Sequence, residues 1–406
     1  MLKHLIPSRQ NPLGEEPIFA LNAEAQRRSA AGERVINATL GALTDDQGQI
    51  VIHDAICDLW RELTPLEVAP YAPLAGEPAY LKAMVQRYWP NLQNPGAACA
   101  TPGGSGALAL SARSFLEPGM AILTGAPYWG PYDLFAAEAG CRLATAPFKT
   151  PGQPLNLEVW ARVAKALMDV QGRLLIWLNE PCHNPTGLSF APQDREGLFA
   201  ILAAQAARGP VVLLLDAAYL DYTPNPAHVR EALDQYATFA EQGPVLVGAA
   251  LSISKAMTLY GARGGALVFP WCQDPTLPTA LSLECRGLWS AAPKAAQSLV
   301  VRLAQDGRRQ EQLNAELRHW SQVLESRAVA LDTALRTEGL KGVSWHGGFF
   351  VTLPTECPCL VTERLRVQGV FGVPVSTGIR IGICSLRAAE APALAAALKQ
   401  AQGNGD

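Results

Sequence analysis

Two short apolar runs, Leu-Leu-Ile-Trp-Leu at 174–178 and Val-Val-Leu-Leu-Leu at 211–215, end at once in polar side chains, Asn179 and Asp216. A bilayer-spanning helix needs about 18 or more consecutive apolar residues. These runs are too short for that and read instead as strands buried on both faces. Similar strand candidates at 120–124, 245–249 and 265–269 alternate with Ala-rich, helix-forming stretches at 105–116, 131–140, 156–170, 192–207 and 228–241. Such alternation predicts a mainly parallel sheet covered by helices. The run 296–337 carries no Pro and no strand signal, so it predicts one or two long helices leading out of the sheet. Beyond it, Val343-Ser-Trp-His-Gly-Gly-Phe-Phe-Val-Thr-Leu353 and Ile379-Arg-Ile-Gly-Ile-Cys384 predict a strand pair, followed by an Ala-rich helix. The first 45 or so residues, Pro-rich and then helical near 20–31, are expected to pack with that C-terminal unit as a discontinuous small domain.

Composition narrows the class. A chain of 406 residues has ample length for two or three domains. Its 33 basic and 36 acidic residues are interspersed, giving a net charge of −3 and no basic block to neutralise a line of phosphates. Nucleic acid is therefore not expected as a partner. The N-terminus lacks the apolar core of a secretory signal, and nine cysteines, an odd number, suit reduced core residues in a cytoplasmic protein. Cys357-Pro-Cys359 has one spacer residue and no second pair, so no metal site is expected.

Four segments carry chemistry. Thr101-Pro-Gly-Gly-Ser-Gly-Ala107 precedes a helix pattern; its bare N–H groups, the helix dipole and a hydroxyl suit a phosphate, although such a loop also serves as a plain turn. It lacks the G-x-G-x-x-G spacing and, as read from sequence, a strand immediately before it, which argues against a dinucleotide. Asn179-Glu-Pro-Cys-His-Asn-Pro-Thr-Gly187 follows a buried strand, at the carboxyl end where open parallel sheets bind ligands, and its prolines fix Asn184. Asp216 ends the next strand, either as a helix cap or as a carboxylate able to keep a ring nitrogen protonated, with Tyr219 three residues on. In Ser252-Ile-Ser-Lys255, a lysine just past an apolar strand is placed for desolvation, which lowers its pKa and frees the amine as a nucleophile. An isolated lysine would simply be solvated, but Ser252 and Arg263 bracket this one, and both are phosphate-binding types.

Taken in order, these segments resemble the fold type I pyridoxal-phosphate aminotransferases, in particular the aspartate and aromatic amino acid aminotransferase subgroup, from about Pro17 to the C-terminal helix. The resemblance implies an α/β fold: a three-layer α/β/α large domain on a mainly parallel seven-stranded sheet, with a small α+β domain. The corresponding division is an N-terminal arm and part of the small domain at 1–47, the cofactor domain at 48–320 and the rest of the small domain at 321–406. Lys255 would form the internal aldimine and later move the proton between substrate α-carbon and cofactor. Asp216 would pair with the pyridinium nitrogen, while Asn184 and Tyr219 would hold the phenolic oxygen. Trp129, in Ala126-Pro-Tyr-Trp-Gly-Pro131, would stack on the ring, and Gly103, Gly104, Ser105, Ser252 and Arg263 would hold the phosphate. Tyr71 matches a tyrosine that reaches the phosphate from the other subunit, implying a homodimer with shared sites.

For the substrate, Arg380 in Thr377-Gly-Ile-Arg-Ile-Gly382 takes the position of the α-carboxylate arginine, with Arg387 a second candidate because the local register departs by one residue. Gly41 would add a backbone donor and Phe350 would line the pocket. Arg286 resembles the subgroup's arginine that crosses the interface to a distal carboxylate; a plain surface arginine is the alternative, and the family's Asn-Pro-Pro nearby is Ala-Ala-Pro here. Glu16-Pro-Ile-Phe19 resembles the apolar flap that closes over substrate. The expected activity is transfer of an amino group between an L-amino acid (aspartate, glutamate or aromatic) and a 2-oxo acid such as 2-oxoglutarate. A lyase or decarboxylase on the same fold would share every motif. A regulatory protein on this scaffold would place a DNA-binding module first, for which the roughly 20 residues before the matching region leave no room.

Overall fold

A computed structural model of the chain describes residues 4–5 and 17–403. Its strands, in chain order, are β1 (Ile36–Asn37), β2 (Ala97–Pro102), β3 (Ala121–Ala126), β4 (Arg142–Pro147), β5 (Leu174–Leu178), β6 (Val211–Asp216), β7 (Leu246–Ser252), β8 (Gly264–Phe269), β9 (Phe350–Pro354), β10 (Val370–Phe371), β11 (Val373–Val375) and β12 (Gly378–Gly382). Seven form the central sheet in the order β2-β8-β7-β6-β5-β3-β4. β8 runs antiparallel to both of its neighbours, and the remaining pairs are parallel. Every residue of β5 and β6 is buried, because helices cover the sheet on both faces. The α/β class and the seven-stranded, mainly parallel sheet are therefore as expected.

Local chemistry sets the helix limits. Asn156 accepts from the Val159 N–H at the start of Leu157–Gln171, and Gly172, at φ 70°, closes that helix in the left-handed region glycine favours. The long run expected near 296–337 is two helices, Lys294–Gln305 and Gly307–Thr337. They part at Asp306, whose carboxylate caps the second by accepting from the Arg309 N–H.

A smaller layer lies at the end of the second helix. β9, β12 and β11 form an antiparallel sheet, and β1 pairs in parallel with β10 through Ile36↔Val370 and Asn37↔Phe371. The buried Arg327 of Gly307–Thr337 ties these parts together: its guanidinium donates to the Cys384 carbonyl at 3.0 Å, the Thr44 carbonyl at 2.9 Å and Asp46 Oδ1 at 2.9 Å.

Three expectations need correction. A strand, β2, does precede the Gly-rich loop directly; it is Ala-Ala-Cys-Ala-Thr-Pro, short of β-branched residues, and the sheet rather than propensity makes it a strand. The first of the C-terminal strand pair begins at Phe350, not Val343, because Gly347-Gly348 turns the chain and lets the Gly348 N–H bond the Tyr222 carbonyl at 2.6 Å. The cysteines are not uniformly core residues: Cys357 and Cys359 are exposed. The helix Leu277–Leu288, which carries Arg286, and the edge strand β4 were not expected from the residues.

Replacing Arg327 with Met removes the guanidinium donors from the Thr44 and Cys384 carbonyls, leaving the Cys384 carbonyl only its bonds from Thr44. We expect a loss of roughly 2–4 kcal/mol, to be read from urea denaturation with the m-value unchanged.

Candidate active site

The carboxyl ends of β5, β6 and β7 open onto one cavity of about 480 Å³. β5 ends at Asn179, whose side chain donates to the Asp216 carbonyl at 2.7 Å and accepts from the Asn184 N–H, bracing the loop that follows. β6 ends at Asp216, and β7 runs into the short helix Ile253–Ala256, which carries Lys255. Strand geometry alone thus delivers a carboxylate, an amide and an amine to the same space.

Burial shapes their charges. It lowers the Lys255 ammonium from 10.5 to about 8; Arg380 and Arg263 push the same way, while Cys384 and Asp216 oppose. The amine donates to the Gly41 carbonyl and lies 4.8 Å from the Tyr260 ring and 5.5 Å from that of Phe349. Burial also raises the Asp216 carboxyl from 3.8 to about 6, against the Tyr132 hydroxyl, the Ala218 N–H and Lys255, which favour its ionised form. The Tyr132 hydroxyl donates to Asp216 Oδ2 at 2.7 Å. Tyr219 accepts from Asn184 Nδ2 at 3.4 Å, and its phenol is held well above its usual range by burial.

One end of the cavity is built for an anion. The helix Gly103–Phe115 opens with Gly103 and Gly104, and Ser105 follows within its first turn. Ser252 and Arg263 face them; a Cβ on Gly103 would come within 2.5 Å of Arg263 Nη2, and one on Gly104 within 3.4 Å of Ser252 Cβ. Arg263, at φ 54°, is held by its bond to the Tyr260 carbonyl at 3.0 Å. The small layer closes the other side. Arg380 of β12 is 4% exposed, donates to the Thr39 carbonyl at 2.9 Å and lies 4.4 Å over the Phe350 ring. Gly41 is there because a Cβ would meet Phe350 Cζ at 2.9 Å. Trp129, Ile18 and Phe19 complete the apolar wall.

Thus Gly41, Gly104, Ser105, Trp129, Asn184, Asp216, Tyr219, Ser252, Lys255, Arg263, Phe350 and Arg380 line one cavity, and Gly103 lies directly behind Arg263. Tyr71 and Arg286 do not line it within this chain. Tyr71 is 91% exposed, and Arg286, also exposed, donates to Ser290 Oγ at 2.6 Å. Arg387 pairs with Glu390 rather than facing the cavity. Of the flap segment, Glu16 lies outside the described residues. Tyr132, Asn179 and Tyr260 escaped the sequence reading; Tyr132 follows Trp129 by three positions, one helical turn, which was the available signal. Among the described residues no cluster of three or more His, Cys, Asp or Glu side chains is arranged to hold a metal, and no helix is long and apolar enough to cross a membrane.

Reactive groups gathered at the carboxyl ends of parallel strands, on a sheet of this topology, are the arrangement of the fold type I transferases. An aminotransferase from Anaerococcus prevotii DSM 20548 superposes with a TM-score of 0.92 at 27% identity, covering 99% of this chain and 100% of that one. The profile of the aminotransferase class I and II family matches residues 33–401, and the chain belongs to that family. A tyrosine aminotransferase of Rhizobium meliloti (strain 1021) is 27% identical over 314 residues, 73% of this chain and 74% of that protein. The fold is shared also with an aromatic-amino-acid aminotransferase from Burkholderia pseudomallei covalently bound to pyridoxal phosphate, at TM-score 0.79 and 22% identity over 98% of this chain and 100% of that one. The protein is a transaminase of this family.

A pH titration of the free amine checks the environment of Lys255. In the cofactor-free protein its modification by an amine-reactive reagent, followed by mass spectrometry, should reach half its maximum near pH 8 rather than 10.5, since the neutral nucleophile grows in as pH rises through the lowered value.

Proposed function

We propose that the cavity binds pyridoxal phosphate covalently through Lys255 and exchanges amino groups between an L-amino acid and a 2-oxo acid such as 2-oxoglutarate. The observation that carries this is the convergence of a desolvated lysine, a buried carboxylate and two separate arginine-bearing ends in one cavity. The residues fit the cofactor. The bare backbone at Gly103 and Gly104, with Ser105, Ser252 and Arg263, suits a phosphate. Asn184 Oδ1 is buried without a hydrogen-bond partner among the described residues, so a polar edge is left for a ligand.

When bound, pyridoxal phosphate supplies an electron sink for the carbanion formed at the substrate α-carbon. The chain's own groups do the rest. Asp216 would pair with the ring nitrogen and favour its protonated form, Asn184 and Tyr219 would hold the phenolic oxygen, and Trp129 would supply an aromatic wall for the ring. Lys255, poised near neutrality, carries the proton to and from the α-carbon. Arg380 takes the α-carboxylate in a bidentate pair, with Gly41 beside it, while Phe350, Ile18 and Phe19 exclude water.

The same reading makes the enzyme a homodimer, with Tyr71 and Arg286 serving the partner's site. Exposed Leu66, Val68, Tyr71 and Leu74, together with Leu283 and Leu288, support it, since monomers seldom leave so many large apolar side chains uncovered near one another in sequence. Residues 48–320 are then the cofactor domain, 1–47 an N-terminal arm and part of the small domain, and 321–406 the rest of the small domain. A cytoplasmic setting agrees with nine cysteines free of disulfides.

Two experiments test this function. A panel of amino donors with 2-oxoglutarate should yield glutamate and the matching 2-oxo acid in equal amounts, without ammonia or carbon dioxide, and Lys255→Ala should abolish turnover while still binding some cofactor; release of ammonia or carbon dioxide instead would make the protein a lyase or decarboxylase. Arg286→Ala should lower kcat/KM for aspartate by about 100-fold, the worth of a lost charge-assisted pair, and leave tyrosine within about threefold. Equal loss for both donors would remove Arg286 from the distal carboxylate.

A further inference from the structure

Tyr132, which bonds Asp216 directly, has had no role so far. It lies in the first turn of the helix Pro131–Glu138, is 1% exposed, and gives its only hydroxyl proton to Asp216 Oδ2 at 2.7 Å. Its ring is wedged between aromatic neighbours: edge-on to Trp177 at 5.1 Å and to Trp129 at 6.0 Å, and stacked with Tyr128 at 6.3 Å. Asp216 is fixed from behind as well, because Asn179 Nδ2 holds its carbonyl at 2.7 Å. One carboxylate oxygen is thus bound on the protein side, while the residue still lines the cavity.

We propose that Tyr132 is a positioning residue: its hydroxyl pins one oxygen of Asp216 in place, so that the other is presented as an anion to a protonated ring nitrogen of the ligand. The assignment rests on the pyridoxal-phosphate reading of the cavity. A phenol suits this task for an electrostatic reason. A buried carboxylate needs donors to stay ionised, but a cationic donor, such as Lys, Arg or protonated His, would also repel the ring cation that Asp216 is there to stabilise. The Tyr132 hydroxyl is neutral, and burial and the adjacent carboxylate both raise its pKa, so it stays a donor throughout the physiological range. It therefore strengthens the anion without competing for it. The same ring touches Trp129, so a single side chain sets both the carboxylate and the aromatic wall beside it.

Tyr132→Phe keeps the ring and its packing and removes only the hydroxyl, and it separates these two duties. The probes are pyridoxal phosphate and deazapyridoxal phosphate, in which carbon replaces the ring nitrogen; both are titrated into the cofactor-free full-length protein, with binding followed by fluorescence quenching. Wild type should prefer the nitrogen-containing cofactor, and Tyr132→Phe should shrink that preference about tenfold, the worth of one hydrogen bond to a charged group, while binding the deaza analogue within about threefold of wild type. Asp216→Asn should abolish the preference, and adding Tyr132→Phe to it should change nothing further. Equal weakening of both cofactors, or an unchanged preference, would make Tyr132 a packing residue and overturn the proposal. Failure of wild type to bind either probe would overturn the cofactor reading itself, and this assignment with it.

Discussion

Burial of the central sheet on both faces is the constraint on which everything else depends. Strands such as Leu174–Leu178 and Val211–Asp216 have no solvent-facing side, so polar groups can leave them only at their ends. That is why Asn179 and Asp216 emerge at the same edge, and why Lys255 meets them from the end of the neighbouring strand. One physical cause then moves two pKa values in opposite directions: loss of solvent raises the Asp216 carboxyl to about 6 and lowers the Lys255 ammonium to about 8. The two groups are brought toward the range in which protons move readily at neutral pH, without any special partner being required for the lysine.

The second layer of the molecule completes what the sheet begins. Gly41, Phe350 and Arg380 come from segments more than 300 residues apart at the extremes, yet they meet over Lys255 because β1 pairs with β10 and Arg327 holds the Thr44 and Cys384 carbonyls together. The contact is close: the Gly41 carbonyl accepts from the lysine itself, and the Leu43 N–H donates to the Tyr260 hydroxyl at 2.9 Å. Stability of the small layer and geometry at the amine are therefore not separable. A change that loosens Arg327 acts on the site through the backbone of residues 38–44, since the Gly382 N–H bonds the Ala38 carbonyl at 2.8 Å in the same seam.

How far the sequence speaks for itself follows from the same physics. Leu174–Leu178 is read to the residue because a continuous apolar run bounded by Asn179 leaves one interpretation. β2 and β4 are not legible: Ala-Ala-Cys-Ala-Thr-Pro and Arg-Leu-Ala-Thr-Ala-Pro have little intrinsic strand preference, and they become strands through the hydrogen bonds of β8 and β3. Lys255, Asp216, Asn184 and Arg263 stand out because each sits in a distinctive local motif. Tyr132 does not, since its partner is 84 residues away and only the fold brings the two together. Tyr71 and Arg286 mark another limit. A single chain leaves both facing outward, away from the cavity, so the roles proposed for them need a second copy of the chain.

The charge arrangement in the cavity links ligand and lysine. Among the described residues, three basic groups, Lys255, Arg263 and Arg380, line the cavity with Asp216. Arg380 and Arg263 both act to lower the Lys255 pKa. Any anion that pairs with either arginine cancels part of that repulsion, which makes protonation of the amine easier when both anionic ends are filled than when they are empty. Burial still opposes the charged amine. The lysine therefore gives up its proton more readily while the arginines are unpaired, and holds it more readily once anions pair with them.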